Sequence, residues 1–211
     1  MGNLAEFLAP LTPAEVLTKK RRDALSLHRG RSEAPVRELF SKSRLIDLAC
    51  AITDPEELQV TSNHNTIPFT FLTDNGRVDR TRLERLTARG ASLIVHNAHR
   101  FDDALGSIVR AYMDVSGKKA WLGAIGSSGS MGALARHSDP YDIFMVQVEG
   151  SKHWRIYESE DAEAQPVAEF TLVAGDYLFV PAHHLHECDT IGGHSLHLGL
   201  GFAGPSYDVW G

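Results

Sequence analysis

At 211 residues, 43% of them hydrophobic, the chain can bury the core of one domain, with or without a helical appendage, and its composition excludes a wholly disordered protein. A net charge of -6 gives no general basic field, which argues against non-specific nucleic-acid binding. Cys50 and Cys188 stand far apart and in no CxxC or zinc spacing, so they read as two free thiols suited to a reducing cytosol rather than as a disulfide framework.

The start, Met1-Gly2-Asn3-Leu4, has no basic leader followed by an apolar run. No later stretch reaches the roughly 18 apolar residues of a membrane span. The expectation is a soluble, cytoplasmic protein.

Thr12-Pro13-Ala14-Glu15 combines a hydroxyl cap, a proline at the first helical position and an acid at the third, predicting a helix to about Lys20. The basic run Lys19-Lys20-Arg21-Arg22 reads as a solvated face. Ser26 to Gly30 reads as a short strand and turn, and Ser43 to Ala51 as a helix broken by Asp54-Pro55. Leu58 to Thr61 and Pro68 to Leu72 read as strands separated by a polar loop, Ser62 to Asn65. Asp74-Asn75-Gly76 is a turn signal.

Asp79 can cap a helix reaching Arg89, with Leu83 and Leu86 inward and Gly90 at its stop. Ala91 to Asn97 is a mostly apolar strand. Phe101-Asp102-Asp103 opens a helix whose early acids suit its dipole, with Phe101, Leu105, Ile108 and Tyr112 as the buried stripe and Ser116-Gly117 at the end.

From Ala120 the pattern changes to short strands and Gly/Pro turns. Gly126 to Gly132 reads as a loop, and without a lysine in P-loop position it is not a phosphate cradle. Ile143 to Val148 and Lys152 to Tyr157 read as neighbouring strands turned at Glu149-Gly150. Phe170 to Leu172, Gly175 to Pro181 and Ser195 to Leu200 complete at least six strands. Such density predicts a mainly β, α+β protein: a single domain over residues 1–211 with a jelly-roll core at 120–203 and a helix-and-strand part at 1–119 packed on it.

His137-Ser138-Asp139 places an imidazole and a carboxylate two positions apart, on one side of an extended segment. Two histidines and one carboxylate on one face of iron leave positions open for substrate and O2, as in non-haem Fe(II) oxygenases. Residue chemistry leaves the third ligand open among His183, His184, His186, His194 and His197.

The run His137-x-Asp139-x-x-Asp142-x-Phe144-x-x-Gln147-x-x-Gly150-x-Lys152-x-Trp154 resembles the metal-binding core of the cupin-type JmjC hydroxylases. Within these it is most similar to the ribosomal oxygenase group of arginyl and histidyl hydroxylases. Gly175 to Pro181 with His186-Glu187, and Ser195 to Leu198, match that group's second motif. Weaker similarity extends through Gly76 to Asp79, Gly90 to Val95 and Leu27 to Gly30, so most of the chain is covered.

The resemblance implies a double-stranded β-helix that uses Fe(II), 2-oxoglutarate as cosubstrate and O2. His137, Asp139 and His186 become the metal ligands and catalytic centre. Lys152 becomes the cation for the distal carboxylate of 2-oxoglutarate, which needs one once buried. Trp121, Ser195 and His197 fall where the family places further cosubstrate contacts. Ser138 and Arg136 depart from the aromatic and proline usual beside the first histidine, which bears on substrate choice.

The implied reaction is hydroxylation of an unactivated C–H, at the β-carbon of a histidine or arginine in a peptide or protein. The chain ends at Gly211, where ribosomal oxygenases continue into a helical dimerisation segment and a winged-helix domain. This points to a compact hydroxylase acting on a short peptide, such as a natural-product precursor, as monomer or homodimer. Two rival readings are a small-molecule hydroxylase or demethylase of the same chemistry, and a non-catalytic metal-binding cupin. Lys152 argues against the second, since a bare metal module needs no charge there.

Overall fold

The computed structural model describes residues 4–9, 12, 25–29, 38–129 and 134–202. The expected helix from Thr12, the basic run after it and the Gly30 turn lie outside them, Thr12 itself excepted. In chain order the elements are α1 (Leu4–Leu8), β1 (Ser26–His28), α2 (Lys42–Ala51), β2 (Leu58–Ser62), β3 (Asn65–Ile67), α3 (Phe69–Leu72), β4 (Thr73–Asp74) and β5 (Arg77–Val78). There follow α4 (Arg80–Ala88), β6 (Ser92–Val95), a single 3-10 turn at Ala98–Arg100, α5 (Asp103–Ser116), β7 (Ala120–Ser127), β8 (Asp142–Tyr157), β9 (Ala168–Val173), β10 (Tyr177–Val180) and β11 (Leu185–Phe202).

Local chemistry accounts for the helix starts. The Ser41 hydroxyl, the Asp79 carboxylate and the Asp102 carboxylate each accept backbone N–H groups of the first turn of α2, α4 and α5. On α5 the buried stripe is Leu105, Ile108, Val109 and Tyr112; Phe101 lies before the Asp102 cap and is 37% exposed, so it is not part of the stripe.

Two predicted strand boundaries are corrected. Pro68 to Leu72 is not a strand: Pro68 precedes the short helix α3, in which Phe69 and Leu72, three positions apart, turn to the core while Thr70 and Phe71 between them are exposed, the spacing of a helix and not of a strand. The polar stretch Ser62 to Asn65 is the tight turn of the β2–β3 hairpin, with Asn63 and His64 in the left-handed region.

The main sheet runs β1-β10-β8-β11-β7-β6-β2-β3, with β9 added on β8. Its two long strands do the folding. The first half of β8 pairs with β10 and the second half of β11; its second half pairs with β9 and the first half of β11. Ile143 to Val148 and Lys152 to Tyr157 are therefore one strand bent at Gly150, not a hairpin. Gly150 has φ +64°, and a Cβ there would sit 2.0 Å from the carbonyl oxygen of His194, so only glycine fits the bend. Gly192 and Gly193, also at positive φ, bend β11 opposite it. The loop expected from Gly126 starts later, because Gly126 and Ser127 still pair with β11.

Each bend changes which residues face inward. Ile143 and Met145 line the inside before Gly150, Lys152 and Trp154 after it; His186 and Cys188 line it before the glycine pair, His197 and Gly199 after it. The result is a jelly roll whose outer face, with Leu122, Ala124, Phe144, Val146 and Leu198, packs on α1, α2 and α5 in one apolar cluster. A smaller cluster of Met145, Trp154, Leu172, Leu178 and Val180 closes one end of the interior.

Candidate metal centre and active site

His137 and His186 face each other across an isolated antiparallel bridge, exchanging N–H to carbonyl hydrogen bonds of 3.0 and 2.8 Å. This backbone pair ties the loop before β8 to the start of β11. His183, in the left-handed region, donates its N–H to the Asp139 carbonyl at 2.7 Å, fixing the same loop two residues on.

The side chains converge as a result. His137, Asp139 and His186 each bring one ligand atom within 4.8 Å of the others, with 3.7 Å between His186 Nε2 and Asp139 Oδ2. The imidazole Nδ1 of His137 lies 2.8 Å from the Ala135 carbonyl, and that of His186 lies 2.9 Å from the His184 carbonyl. A carbonyl only accepts, so both Nδ1 atoms carry the proton and both Nε2 lone pairs are free for a cation. Burial, then His137, hold the His186 pKa below the ordinary histidine value, which keeps it a neutral ligand. Two nitrogens and one carboxylate oxygen fit Fe(II) and leave coordination positions open.

Behind this centre the loop is clamped from outside. The Arg136 guanidinium stacks 3.5 Å over the Tyr157 ring, donates to the Asp161 carbonyl at 2.8 Å, and its Nε lies 3.8 Å from Glu187. Glu187 also accepts from Tyr157 and from Arg155.

The three ligands open into a cavity of about 1100 Å³ between the two layers of the roll. Lys152 is completely buried on its wall, yet among the described residues its Nζ meets only neutral groups: Ser127 Oγ at 3.3 Å, His197 Nδ1 at 3.4 Å, and the Cys188 thiol, whose pKa burial raises. No carboxylate pairs with it among the described residues. A buried ammonium so placed fits a ligand carboxylate, which would supply the missing charge. Burial first, and Lys152 beside it, push the His197 pKa well below the usual value; the neutral ring accepts from Lys152 and carries its own proton on Nε2.

Of the predicted site residues, the fold brings His137, Asp139, His186, Lys152, His197 and Trp121 to one cavity. Trp121 stands edge-on to Tyr141 at 4.6 Å, and its ring covers Gly201, where a Cβ would approach to 2.6 Å. Ser195 is not with them: its hydroxyl accepts from Gln147 at 2.8 Å and lines a separate small void. His183 and His194 are exposed, and His184 turns its Nδ1 to the Ala182 carbonyl.

Sequence reasoning missed the outer wall. Asn97, His99, Met113, Lys118, Lys119 and Leu134 line the mouth, where the 3-10 turn meets the start of β7. His99 Nδ1 accepts the Leu122 N–H at 3.2 Å, and burial lowers its pKa. Asn97 donates to buried Glu57, which also pairs with Arg100. Trp154 and Cys188, two positions from Lys152 and His186, were legible from strand periodicity alone.

The JmjC domain family model matches residues 94–209. Ribosomal oxygenase 2 of Bos taurus is 32% identical over 146 residues, covering 60% of this chain and 31% of its own length. The bifunctional lysine-specific demethylase and histidyl-hydroxylase NO66 of Caenorhabditis briggsae is 27% identical over 204 residues, 83% of this chain and 25% of its own. Among solved structures, YcfD, a ribosomal oxygenase from Escherichia coli in complex with cobalt and succinic acid, superposes with a TM-score of 0.65 at 18% identity over 94% of this chain and 53% of that one. The chain thus spans about a quarter to a third of these curated relatives and about half of the solved structure.

Proposed function

The chain belongs to the JmjC domain family, and from that premise we propose that it is an Fe(II)- and 2-oxoglutarate-dependent oxygenase that hydroxylates a residue in a peptide or protein. The observation that carries this reading is the pairing, in one cavity, of the His137–Asp139–His186 centre with a buried, uncompensated Lys152. A metal module alone accounts for the first and not the second.

When bound, iron and 2-oxoglutarate supply the O2 chemistry, oxidative decarboxylation to succinate and CO2 coupled to insertion of oxygen into a C–H bond. The protein's own groups hold and orient. His137, Asp139 and His186 present three ligand atoms from one side and leave the other open. Lys152 grips the distal carboxylate, with Ser127 and His197 keeping its Nζ in place. Trp121 walls the cavity on the outer side, and the apolar lining of Ile125, Ile143 and Met145 excludes water.

The mouth is edged by exposed residues, His96, Met113, Lys119 and Leu134, so a chain segment can lie across it. That favours a peptide over an enclosed small molecule. The relatives named as ribosomal oxygenases and histidyl-hydroxylase favour a protein side chain as target, and the second name favours histidine over arginine. Nothing in their names supports a natural-product precursor.

The test is succinate formation from 2-oxoglutarate by iron-loaded protein on admission of air, for wild type, His137→Ala and Lys152→Ala. Wild-type turnover lost in both variants supports the reading. Absence of both turnover and 2-oxoglutarate binding in the wild type would overturn it in favour of a binding-only cupin.

A further inference from the structure

We infer that Asn97 and His99 hold the main chain of the peptide substrate, Asn97 accepting a backbone N–H and His99 donating to a backbone carbonyl near the residue that enters the site; this rests on the proposed function and deepens it. Both side chains line the cavity at its mouth, two positions apart across the start of the 3-10 turn. Each is tethered from behind through one polar atom. In each the other polar atom is left over.

The Asn97 Nδ2 donates at 3.0 Å to Glu57, a buried carboxylate that Arg100 also grips and whose own backbone carbonyl accepts the His96 N–H. A carboxylate only accepts, so the amide nitrogen must face Glu57 and Oδ1 is turned away from it, with no partner among the described residues. The Asn97 backbone is left-handed, at φ 47°, and its side chain does not cap the turn that follows. Glycine would suit that backbone better and capping is the common use of an asparagine there, so neither accounts for the amide. His99 is fixed in the same manner. Its Nδ1 accepts the Leu122 N–H at 3.2 Å and burial keeps the ring neutral, so the proton sits on Nε2, which has no partner among the described residues. One held acceptor and one held donor, both neutral, complement a peptide backbone and not a charge. In an extended chain the N–H and C=O of one residue leave on the same side, so one residue can meet both.

The test uses protein loaded with Mn(II) and 2-oxoglutarate without oxygen, and a fluorescein-labelled peptide pool with a central histidine. In three further pools one amide, before, at or after the histidine, is replaced by an ester, which removes one N–H. One ester pool should bind the wild type about two- to tenfold more weakly, the size of one neutral hydrogen bond. Asn97→Gly keeps the left-handed backbone and removes the amide; it should bind the all-amide pool weaker by a similar factor and no longer distinguish that ester. His99→Phe should also bind more weakly, yet still register the missing N–H. A change that merely loosened the wall would weaken amide and ester pools alike and leave the ester penalty in place. No ester penalty in the wild type, an undiminished penalty in Asn97→Gly, unchanged affinity in either variant, or binding of no pool overturns the inference.

Iron-loaded protein with oxygen then separates the two ideas. Ester-sensitive binding with no oxidised peptide and no succinate keeps the main-chain contact and removes the oxygenase. Oxidation of amide and ester pools at the same rate, in wild type and Asn97→Gly alike, keeps the oxygenase and removes the main-chain contact.

Discussion

Lys152→Met should make the metal-loaded protein nearly blind to 2-oxoglutarate while making the ligand-free protein more stable. The two opposite effects have one cause. Lys152 is fully buried, and its partners among the described residues are Ser127, His197 and the Cys188 thiol, all neutral, so the ligand-free fold carries a desolvated ammonium with no carboxylate from those residues beside it. Methionine has similar length and no charge, so it fills the space and removes that penalty. With ligand bound the balance reverses: truncating one partner of a buried, hydrogen-bonded charge pair costs about 2–5 kcal/mol, roughly 30- to 5000-fold in Kd. Thermal melting of Mn(II)-loaded protein against 2-oxoglutarate concentration reads both quantities, since a ligand raises stability in proportion to the logarithm of its concentration over Kd. A variant that melts lower than wild type without ligand, or whose melting still climbs with 2-oxoglutarate as the wild type's does, would refute the role assigned to Lys152.

Four further outcomes are expected. His137→Ala and Asp139→Asn should each weaken Co(II) binding by more than about a hundredfold, seen as loss of the visible absorption of the bound ion, because each removes one of only three ligands. Arg136→Ala should leave the fold intact but weaken the same binding by about tenfold, since it frees the ligand-bearing loop from Tyr157 and Glu187; unchanged Co(II) affinity would show the clamp to be idle. Gly150→Ala should cost about 3 kcal/mol or more in urea denaturation, combining left-handed strain with a clash against the His194 carbonyl. Metal-free protein should lose stability as pH falls below about 6.5: His99 and His197 have folded pKa values below the unfolded one, so the unfolded chain takes up protons first. That contribution is complete above about pH 6.5, and a melting temperature flat from there down to about pH 5.5 would contradict it.

Much of this molecule is readable from its residues because several signals were local. The caps at Asp79 and Asp102, the Asn75-Gly76 turn and the dense strands after Ala120 each depend on a few neighbours in sequence. Periodicity failed at Pro68 to Leu72, where five residues are too few to separate one period from the other. It also failed at Gly150, because glycine after an acid signals a hairpin whether the chain reverses or merely bends; the outcome was decided by β11, more than thirty residues on. His186 could be told from His183 and His184 only through the family motif. Its place rests on the bridge to His137, a long-range contact that residue spacing does not encode. The mouth was invisible for the same reason, since Asn97 and Lys119 meet only when the 3-10 turn packs beside β7.

The bent, paired strands also act as a gauge. His186 sits opposite Ile156 and Thr190 opposite Lys152, so the metal end and the ammonium end of the cavity are four rungs apart on one ladder. At about 3.3 Å per residue that is an interval of about 13 Å between backbones, fixed by hydrogen bonds and independent of any loop. The interval cannot be altered by one rung, because a shift of one turns Lys152 to the opposite face of its strand. Descendants of this chain that adopt a longer or shorter dicarboxylate must therefore exchange the cation for one of different reach, or move it by two.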